Sequence, residues 1–300
     1  MRTLVTGGAG FIGSHVIDAL LARGHEVDVV DDLSSGKPER VPAGASLHEH
    51  DIRRPLDDLF GELRPETVVH LAAQADVRVS VDRPDFDADV NVLGTIRVLE
   101  AARKQGAQIV FSSTGGAIYG ECDGPADEDH PRRPLAPYGT SKLCGEEYLA
   151  TYNRLYGTRH VTLRLGNVYG PRQDPHGEAG VVAIFLGLLA AGGSPRIFGE
   201  GAQTRDYVYV GDVVPAIVAA IGRPAGVFNV GTGVETSVLE LFAACRDVAG
   251  VTTEPILVEA RSGELQRSAL DAGRAGRELG WRPEMPLSRG LRETWASIAG

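Results

Sequence analysis

Cysteine is scarce in this chain of 300 residues, which contains only Cys122, Cys144 and Cys245. An odd number of cysteines without metal-ligand spacing predicts neither a disulfide scaffold nor a metal site, and it favours a reducing compartment. Basic charge is also in deficit, because 30 lysines and arginines stand against 40 acidic residues and leave a net charge of −10. That charge opposes broad binding to nucleic acid or to anionic membranes, so we expect neither as a partner.

Long apolar runs are missing as well. The most apolar stretch, residues 179–193, contains four glycines and is shorter than the roughly 20 residues that a membrane-spanning helix needs. Residues 1–6 lead straight into a glycine-rich turn without an apolar leader, so we expect a cytoplasmic protein. The hydrophobic fraction of 43% is ample for a large buried core.

Short β-rich runs alternate with helical patterns as far as about residue 165. Such alternation predicts βαβ units and a Rossmann-type α/β fold, in which helices cover both faces of a doubly wound parallel sheet. After Pro171 the pattern becomes irregular, which predicts a second, smaller and discontinuous α/β domain. We expect the larger domain to span residues 1–167 and about 206–230, and the smaller one to span about 168–205 and 231–300.

A glycine-rich segment joins the first predicted strand to the helix that follows it. Gly7, Gly10 and Gly13 have the spacing of a dinucleotide-binding turn, where a missing Cβ lets a pyrophosphate approach the helix N-terminus. The second strand ends in Asp31 and Asp32, where a carboxylate can accept hydrogen bonds from an adenosine ribose. An anion there would repel the extra phosphate of NADP, so the pattern predicts NAD.

Later strand ends should complete this cofactor site, because ligands of open α/β sheets bind where the strands end. His70 is better explained as a packed strand residue than as a catalyst, and Asn91 either bonds backbone near the site or caps a helix. The predicted cofactor-binding residues are Gly7, Gly10, Phe11, Ile12, Gly13, Asp31, Asp32, Ser34, Ser35, Gly36, Asp51, Ile52, Leu71, Ala72, Ala73, Gln74, Asn91, Ser112, Ser113, Tyr138 and Lys142.

A tyrosine and a lysine lie four residues apart, at Tyr138 and Lys142, and so share one face of a predicted helix. An ammonium 4 Å from a phenol, at an effective dielectric of 20, is worth about 4 kcal/mol, or roughly three pKa units. Lys142 and a positive nicotinamide could therefore bring the phenol pKa towards neutrality. Tyr138 could then act as a base in one direction and as an acid in the other.

Four segments together resemble the extended short-chain dehydrogenase/reductases that act on nucleotide sugars, the NAD-dependent epimerase/dehydratase family. They are residues 6–13, 112–114, 138–142 and 164–171. The resemblance covers essentially the whole chain and implies a larger domain that binds NAD and a smaller one that binds a nucleotide sugar.

The same resemblance assigns catalytic roles. It implies that Thr114 hydrogen-bonds the sugar 4-oxygen, that Tyr138 moves its proton, and that Lys142 holds the nicotinamide ribose. One departure from the family is visible, because five residues rather than the usual four separate Ser113 from Tyr119. Ser113 therefore stays open as the alternative catalytic hydroxyl.

In the nucleotide-sugar half, the resemblance implies that Arg205 and Arg261 meet the diphosphate and that Glu264 meets the uridine ribose. Guanidinium groups suit phosphate because they donate two parallel hydrogen bonds. The alternatives without ligand binding are a salt bridge from Arg205 to a neighbouring carboxylate and a solvated surface position for Arg261. The implied substrate-binding residues are Thr114, Tyr138, Asn167, Gly180, Val181, Val182, Ile197, Phe198, Arg205, Arg261 and Glu264.

The type of reaction is indicated by Gly115 and Gly116, which stand where 4,6-dehydratases of the family carry an Asp-Glu pair and decarboxylases a glutamate. The resemblance thus implies epimerisation at C4 of a UDP-hexose, UDP-glucose or UDP-galactose. A UDP-N-acetylglucosamine or UDP-glucuronate 4-epimerase is the alternative, and the small Ser268 would suit an N-acetyl group. A 4,6-dehydratase comes next, and a silent NAD-binding regulator is the alternative outside enzymes. The family also implies a homodimer, formed through helices near residues 94–103 and 142–156.

Overall fold

The computed structural model describes residues 1–175, 180–260 and 265–299. Its strands are β1 (Arg2–Thr6), β2 (Glu26–Asp31), β3 (Ala45–Glu49), β4 (Thr67–His70), β5 (Gln108–Thr114), β6 (Val161–Leu165), β7 (Asn167–Tyr169), β8 (Arg196–Phe198), β9 (Thr204–Tyr209), β10 (Gly226–Val230), β11 (Glu235–Ser237) and β12 (Ile256–Val258).

The helices are α1 (Phe11–Leu21), α2 (Asp57–Leu63), α3 (Val77–Asp82), α4 (Pro84–Ala88), α5 (Thr95–Gln105), α6 (Gly115–Ile118), α7 (Pro137–Tyr156), α8 (Val181–Ala190), α9 (Val210–Ala220), α10 (Val238–Ala249), α11 (Gly273–Glu278) and α12 (Leu287–Ala299). A 3₁₀ turn covers Pro38–Arg40, and a π-helical segment, Asp89–Gly94, leads into α5. Within the described residues, no helix is long and apolar enough to cross a membrane.

Seven strands form one sheet in the order β10-β6-β5-β4-β1-β2-β3, and every neighbouring pair is parallel. The predicted Rossmann-type sheet is therefore confirmed. The chain builds outward from β1 through β2 to β3 and then returns to the other side of β1 with β4. That reversal opens a crevice between the ends of β1 and β4, where ligands of such sheets bind.

The core lies on both faces of this sheet. Alternate residues of a strand point to opposite faces, and in β1 Leu4 joins the cluster that contains Phe60 and Leu99, whereas Val5 joins the cluster that contains Ile17 and Ile217. These residues are all buried. Double-sided burial explains why adjacent residues of the central strands are both apolar, as at Leu4-Val5 of β1 and Val68-Val69 of β4.

Two small sheets lie outside the large one. β7, β9 and β11 form a three-stranded sheet in the order β11-β9-β7, and β8 pairs with β12. Residues 226–230 return to the large sheet as β10, but Asp206 lies in β9 of the small sheet. We propose that residues 1–167 and about 206–230 form the larger domain and that about 168–205 and 231–300 form the smaller one. The boundary near residue 206 then falls inside β9.

Candidate active site

The crevice between β1 and β4 begins at the glycine-rich turn. Gly7 has a φ of +71°, and a Cβ added to it would lie 2.6 Å from the backbone nitrogen of Ala72. A Cβ on Gly13 would collide with the carbonyl oxygen of Gly7 and lie 2.6 Å from Cα of Gly8. Strand ends, turn and helix thus approach closely enough that these positions exclude a Cβ. This geometry fits a dinucleotide pyrophosphate, which needs bare backbone at the N-terminus of α1.

A cavity opens from this turn towards the helix α7. Most of its lining was predicted from the sequence, but Ala75, Leu165, Gly166 and Val168 were missed. Ala75 follows the end of β4, and the other three lie where β6 ends and β7 begins. The lining residues are Gly7, Gly10, Phe11, Ile12, Gly13, Leu71, Ala73, Ala75, Ser112, Ser113, Thr114, Tyr138, Lys142, Leu165, Gly166 and Val168.

The loop after β2 folds back onto the glycine turn through Asp31. The Asp31 carboxylate accepts hydrogen bonds from the backbone N–H groups of Ala9 at 3.0 Å and Leu33 at 2.9 Å. Burial raises the pKa of Asp31 above its usual value, and these two hydrogen bonds act in the opposite direction. A carboxylate has about four acceptor positions, so Asp31 keeps capacity for ribose hydroxyls after it has fixed the loop.

The remainder of that loop is closed by local hydrogen bonds. The Asp32 carboxylate accepts from both the backbone N–H and the hydroxyl of Ser34, at 3.0 and 2.6 Å. Ser35 follows, and a Cβ on Gly36 would lie 2.6 Å from the Asp31 carboxylate. These contacts place all the residues predicted after β2 in one tight turn beside the glycine-rich segment.

Two predicted cofactor residues lie after β3, two strands away from β1. The Asp51 carboxylate accepts hydrogen bonds from the backbone and guanidinium of Arg53, and the Arg53 side chain lowers the pKa of Asp51. Ile52 is buried and packs against Gly94, where an added Cβ would lie 2.8 Å from the Ile52 side chain.

Asn91 fixes the backbone that follows β4. Its side-chain oxygen accepts from the backbone N–H of Gln74 at 2.9 Å, and its amide donates to the Gln74 carbonyl at 2.8 Å. The structure therefore shows the first of the two alternatives, backbone bonding near the site. Asp87, which the sequence did not single out, accepts from both the Asn91 and the Gln74 side-chain amides at 2.9 Å.

The helix α7 carries the predicted tyrosine and lysine. Pro137 occupies its first helical position, where a missing N–H costs nothing, and Gly157 ends it with a φ of +65°. Tyr138 and Lys142 consequently lie one turn apart, and both line the cavity together with Thr114.

Lys142 is buried at the wall of the cavity. Its ammonium donates to the Ser112 carbonyl at 3.0 Å and lies 4.9 Å from the centre of the Phe111 ring. Burial lowers the pKa of Lys142 to about 8, while the negative charges of Asp87 and Glu146 act to raise it. The side chain is therefore mostly protonated at pH 7 and supplies positive charge one turn from the Tyr138 phenol.

The two candidate hydroxyls at the end of β5 have different environments. Ser113 is buried, and its hydroxyl donates to the Glu146 carboxylate at 2.5 Å. Thr114 is the last residue of β5 and is partly exposed to the cavity. Because the Ser113 hydroxyl is already engaged within the protein, the geometry favours Thr114 as the hydroxyl that meets a substrate.

A buried ion pair lies beneath these residues and was not predicted from the sequence. Arg164 and Glu146 are 2.7 Å apart, and each side chain is 3% exposed. Arg164 also donates to the Tyr119 hydroxyl at 2.8 Å and to the Glu128 carbonyl at 3.0 Å. The sequence feature that could have predicted a role for Glu146 is its position four residues after Lys142, which places it on the same helix face.

His70 is a packed residue. Its two ring nitrogens lie 2.7 Å from the Thr6 hydroxyl and 3.0 Å from the Thr95 hydroxyl. Burial, together with the Lys142 charge, lowers the pKa of His70 to about 3, so its ring is neutral at pH 7.

The space around the two glycines after Thr114 is crowded. A Cβ on Gly115 would collide with the Leu270 side chain, and one on Gly116 would lie 3.2 Å from the Asn167 side-chain oxygen. Asn167, at the start of β7, therefore faces the strand end that carries Thr114.

Other predicted substrate residues are distributed around the smaller sheets. Gly180 and Val181 lie at the start of α8, and Phe198 ends β8, but Val182 and Ile197 are buried in the core. The latter two can reach a ligand only through their backbone.

Arg205 lies in β9, where its guanidinium donates to the backbone carbonyls of Thr204 at 2.8 Å and Leu265 at 2.9 Å. The neighbouring Asp206 carboxylate accepts from Thr232 and from other backbone N–H groups. Arg261 and Glu264 lie outside the described residues.

Comparison with known proteins agrees with this geometry. A UDP-glucose 4-epimerase from Mycolicibacterium smegmatis is 50% identical over 305 residues, which cover 98% of this chain and 97% of that protein. A crystal structure of UDP-glucose 4-epimerase from Thermotoga maritima with UDP-glucose matches with a TM-score of 0.97 and 46% identity, over 99% of this chain and 98% of that one. The UDP-glucose 4-epimerase of Thermus thermophilus in complex with NAD matches with a TM-score of 0.96 and 46% identity, over 100% and 99%. Residues 3–231 match the NAD dependent epimerase/dehydratase family, and the chain belongs to that family.

Proposed function

We propose that this chain is an NAD-dependent UDP-hexose 4-epimerase that interconverts UDP-glucose and UDP-galactose. The observation that carries the proposal is that Thr114, Tyr138 and Lys142 line one cavity together with a glycine-rich turn whose Gly7 and Gly13 exclude a Cβ. Close relatives over the full chain carry the same activity in their names. The interconversion belongs to galactose and carbohydrate metabolism.

The chain's own side chains handle the proton and the orientation of the sugar. When bound, NAD would supply the hydride chemistry at C4, accepting a hydride from the hexose and donating it back to the keto intermediate. Tyr138 removes the proton of the 4-hydroxyl and later returns it, while Thr114 hydrogen-bonds the 4-oxygen. The buried Lys142 ammonium stabilises the Tyr138 phenolate and would hold the nicotinamide ribose.

The cofactor is NAD, since the acidic loop that begins at Asp31 would repel the extra phosphate of NADP. We infer that Asp31 and Asp32 bond the adenosine ribose and that the turn from Gly7 to Gly13 receives the pyrophosphate.

We further propose that Asn167 and Arg205, with Arg261 and Glu264, bind the UDP part of the substrate. The support is the position of Asn167 opposite Gly116 and the cationic side chain of Arg205 in β9. Removing the Arg205 guanidinium should raise KM for the UDP-sugar more than it lowers kcat.

N-acetylated UDP-hexoses are a second candidate substrate class. Ser268 is small and 6% exposed, next to the segment that Arg205 contacts. Turnover of UDP-glucose without turnover of UDP-N-acetylglucosamine would exclude this extension.

We also propose a cytoplasmic homodimer. The three cysteines are all free, as suits a reducing compartment. The face of α7 and the segment before α5 expose large apolar side chains, with exposed fractions of 47% for Leu93, 41% for Tyr148 and 66% for Leu155. Light scattering should show a dimer, and Leu155→Glu should convert it to a monomer; a monomeric wild-type protein would refute the proposal.

The experiment is incubation of the purified protein with UDP-glucose, without added NAD, followed by chromatographic separation of the two hexoses. We expect interconversion, and we expect Tyr138→Phe to lower kcat by about 10²–10⁴-fold because it removes the proton carrier. Tyr156→Phe is the matched control, since this exposed tyrosine lies in the last turn of the same helix. A fully active Tyr138→Phe variant would contradict the mechanism, and conversion of N-acetylated or uronic UDP-sugars alone would replace the substrate.

A further inference from the structure

The face of α7 that carries Lys142 also carries Glu146, one helical turn further on. Its carboxylate points to the sheet and is bound by two neighbouring strands. Ser113 of β5 donates to it at 2.5 Å, and Arg164 of β6 donates from Nη2 at 2.7 Å and from Nε at 3.0 Å. Ser113 and Arg164 are also register partners in the sheet, so a single carboxylate joins one helix to two adjacent strands.

We propose that Glu146 is a positioning residue of this active site. Its carboxylate provides buried negative charge on the helix face of Lys142 and holds α7 against the strand that carries Thr114. The inference deepens the proposed function, because it concerns the groups that prepare Tyr138 for proton transfer.

The geometric step follows from sequence adjacency. Thr114 directly follows Ser113, and Tyr138 and Lys142 precede Glu146 on the same helix. The Ser113 to Glu146 hydrogen bond is therefore a direct connection between the strand end that presents the hydroxyl and the helix that presents the phenol, beside the bond from Lys142 to the Ser112 carbonyl. Both ends of this connection are buried, so solvent does not compete for it.

The electrostatic step concerns Lys142. His70 is neutral at pH 7, so its ring adds no charge beside Lys142. Asp87 and Glu146 are therefore the carboxylates that oppose the effect of burial on the lysine, whose pKa lies at about 8. The charged groups that act on the Lys142 ammonium are Asp87 from α4 and Glu146 from α7. Tyr138 lies one turn earlier on α7, His70 of β4 is neutral, and Arg164 of β6 is bound to Glu146.

The sequence makes a direct test possible, because the chain has only three lysines, Lys37, Lys104 and Lys142. The side chains of the first two are 45% and 46% exposed, whereas Lys142 is buried. Protein labelled with ¹³C at the lysine ε-carbon should give three signals. The signal of the buried Lys142 should titrate at a lower pH than those of the two exposed lysines. This NMR titration monitors Lys142 independently of any activity.

The decisive variant is Glu146→Gln combined with Arg164→Met, which removes the buried pair without leaving an unpaired charge. We expect the Lys142 titration midpoint to fall by roughly half a pH unit, because Glu146 acts on Lys142 from the same helix face and the simultaneous loss of the Arg164 charge offsets only part of that effect. The alkaline limb of kcat should move to lower pH by the same amount, while KM for the UDP-sugar stays within about twofold. Glu146→Asp, which keeps the carboxylate, should restore both the midpoint and the limb.

An unchanged Lys142 midpoint in the double variant would overturn the proposal, even if activity were reduced. A reduced kcat with an unshifted pH profile would likewise indicate a merely structural pair. If the wild-type protein turned over no UDP-glucose, the proposed function would fail, and the NMR titration would still decide the role of Glu146.

Discussion

Gly13 offers the sharpest test of the cofactor crevice, because the chain contains a matched glycine that lacks its constraint. Replacing glycine with alanine inside a helix normally stabilises the helix by about 1 kcal/mol. Gly61 in α2 should show this gain, since an added Cβ there meets nothing within 4 Å. At Gly13 the same Cβ would collide with the backbone of Gly7 and Gly8, and such overpacking costs about 1–3 kcal/mol. Because the helical gain applies at both positions, the two variants should differ in unfolding free energy by the overpacking cost, roughly 1–3 kcal/mol.

The assay has two parts. Urea unfolding gives the free energy of each variant, with an unchanged m-value as the check that the transition is comparable. Release of nucleotide from the acid-denatured protein, quantified by chromatography, gives the NAD content. We expect a full complement of NAD in Gly61→Ala and little in Gly13→Ala. If Gly13→Ala carried as much NAD and were as stable as Gly61→Ala, close approach at the glycine turn would not be what this position requires.

Three further changes test the fold around the site. Burial lowers the pKa of His160 to about 4, below its value near 6.5 in the unfolded chain, so the unfolded state takes up the proton first as pH falls. Between pH 7 and pH 5 the unfolding free energy should drop by about 2 kcal/mol more than in His160→Gln, as measured by urea titration at each pH. Ser237→Ala should cost about 1 kcal/mol by removing the capping box at the start of α10, and a thermal midpoint equal to the wild type would contradict this. Arg64 ends α2 with a φ of +46°, so Arg64→Gly should gain about 1 kcal/mol in urea unfolding, and a loss would refute strain there.

The residues of the candidate active site that lie at or just after strand ends could be predicted from the sequence. The positions of Gly7, Gly13, Thr114 and the Tyr138 helix all depend on a strand-to-helix junction or on a helical repeat, and such local rules operate over a few residues. The predictions of a Rossmann sheet, of NAD as cofactor and of the family also depended on such local motifs, and all three were confirmed. The individual contacts that we assign to ribose and diphosphate stay predictions.

The contacts that the sequence could not provide join distant parts of the chain. Ser113 and Glu146 are 33 residues apart, and their hydrogen bond removes Ser113 as a free hydroxyl. Asn91 and Gln74 are 17 apart, and only their pairing decides between a cap and a backbone contact. Burial likewise could not be predicted for Ile197, whose side chain lies in the core, so its proposed contact with the substrate would have to come from its backbone.

The sequence by itself determined the α/β alternation, the bare glycine turn and the pairing of phenol and ammonium, because each arises from spacing along a strand or helix. The tertiary structure decided which hydroxyl is available and which charges surround Lys142. Those outcomes depend on burial and on charges brought together by packing, where the low dielectric makes each neighbour count and where sequence distance gives no guide.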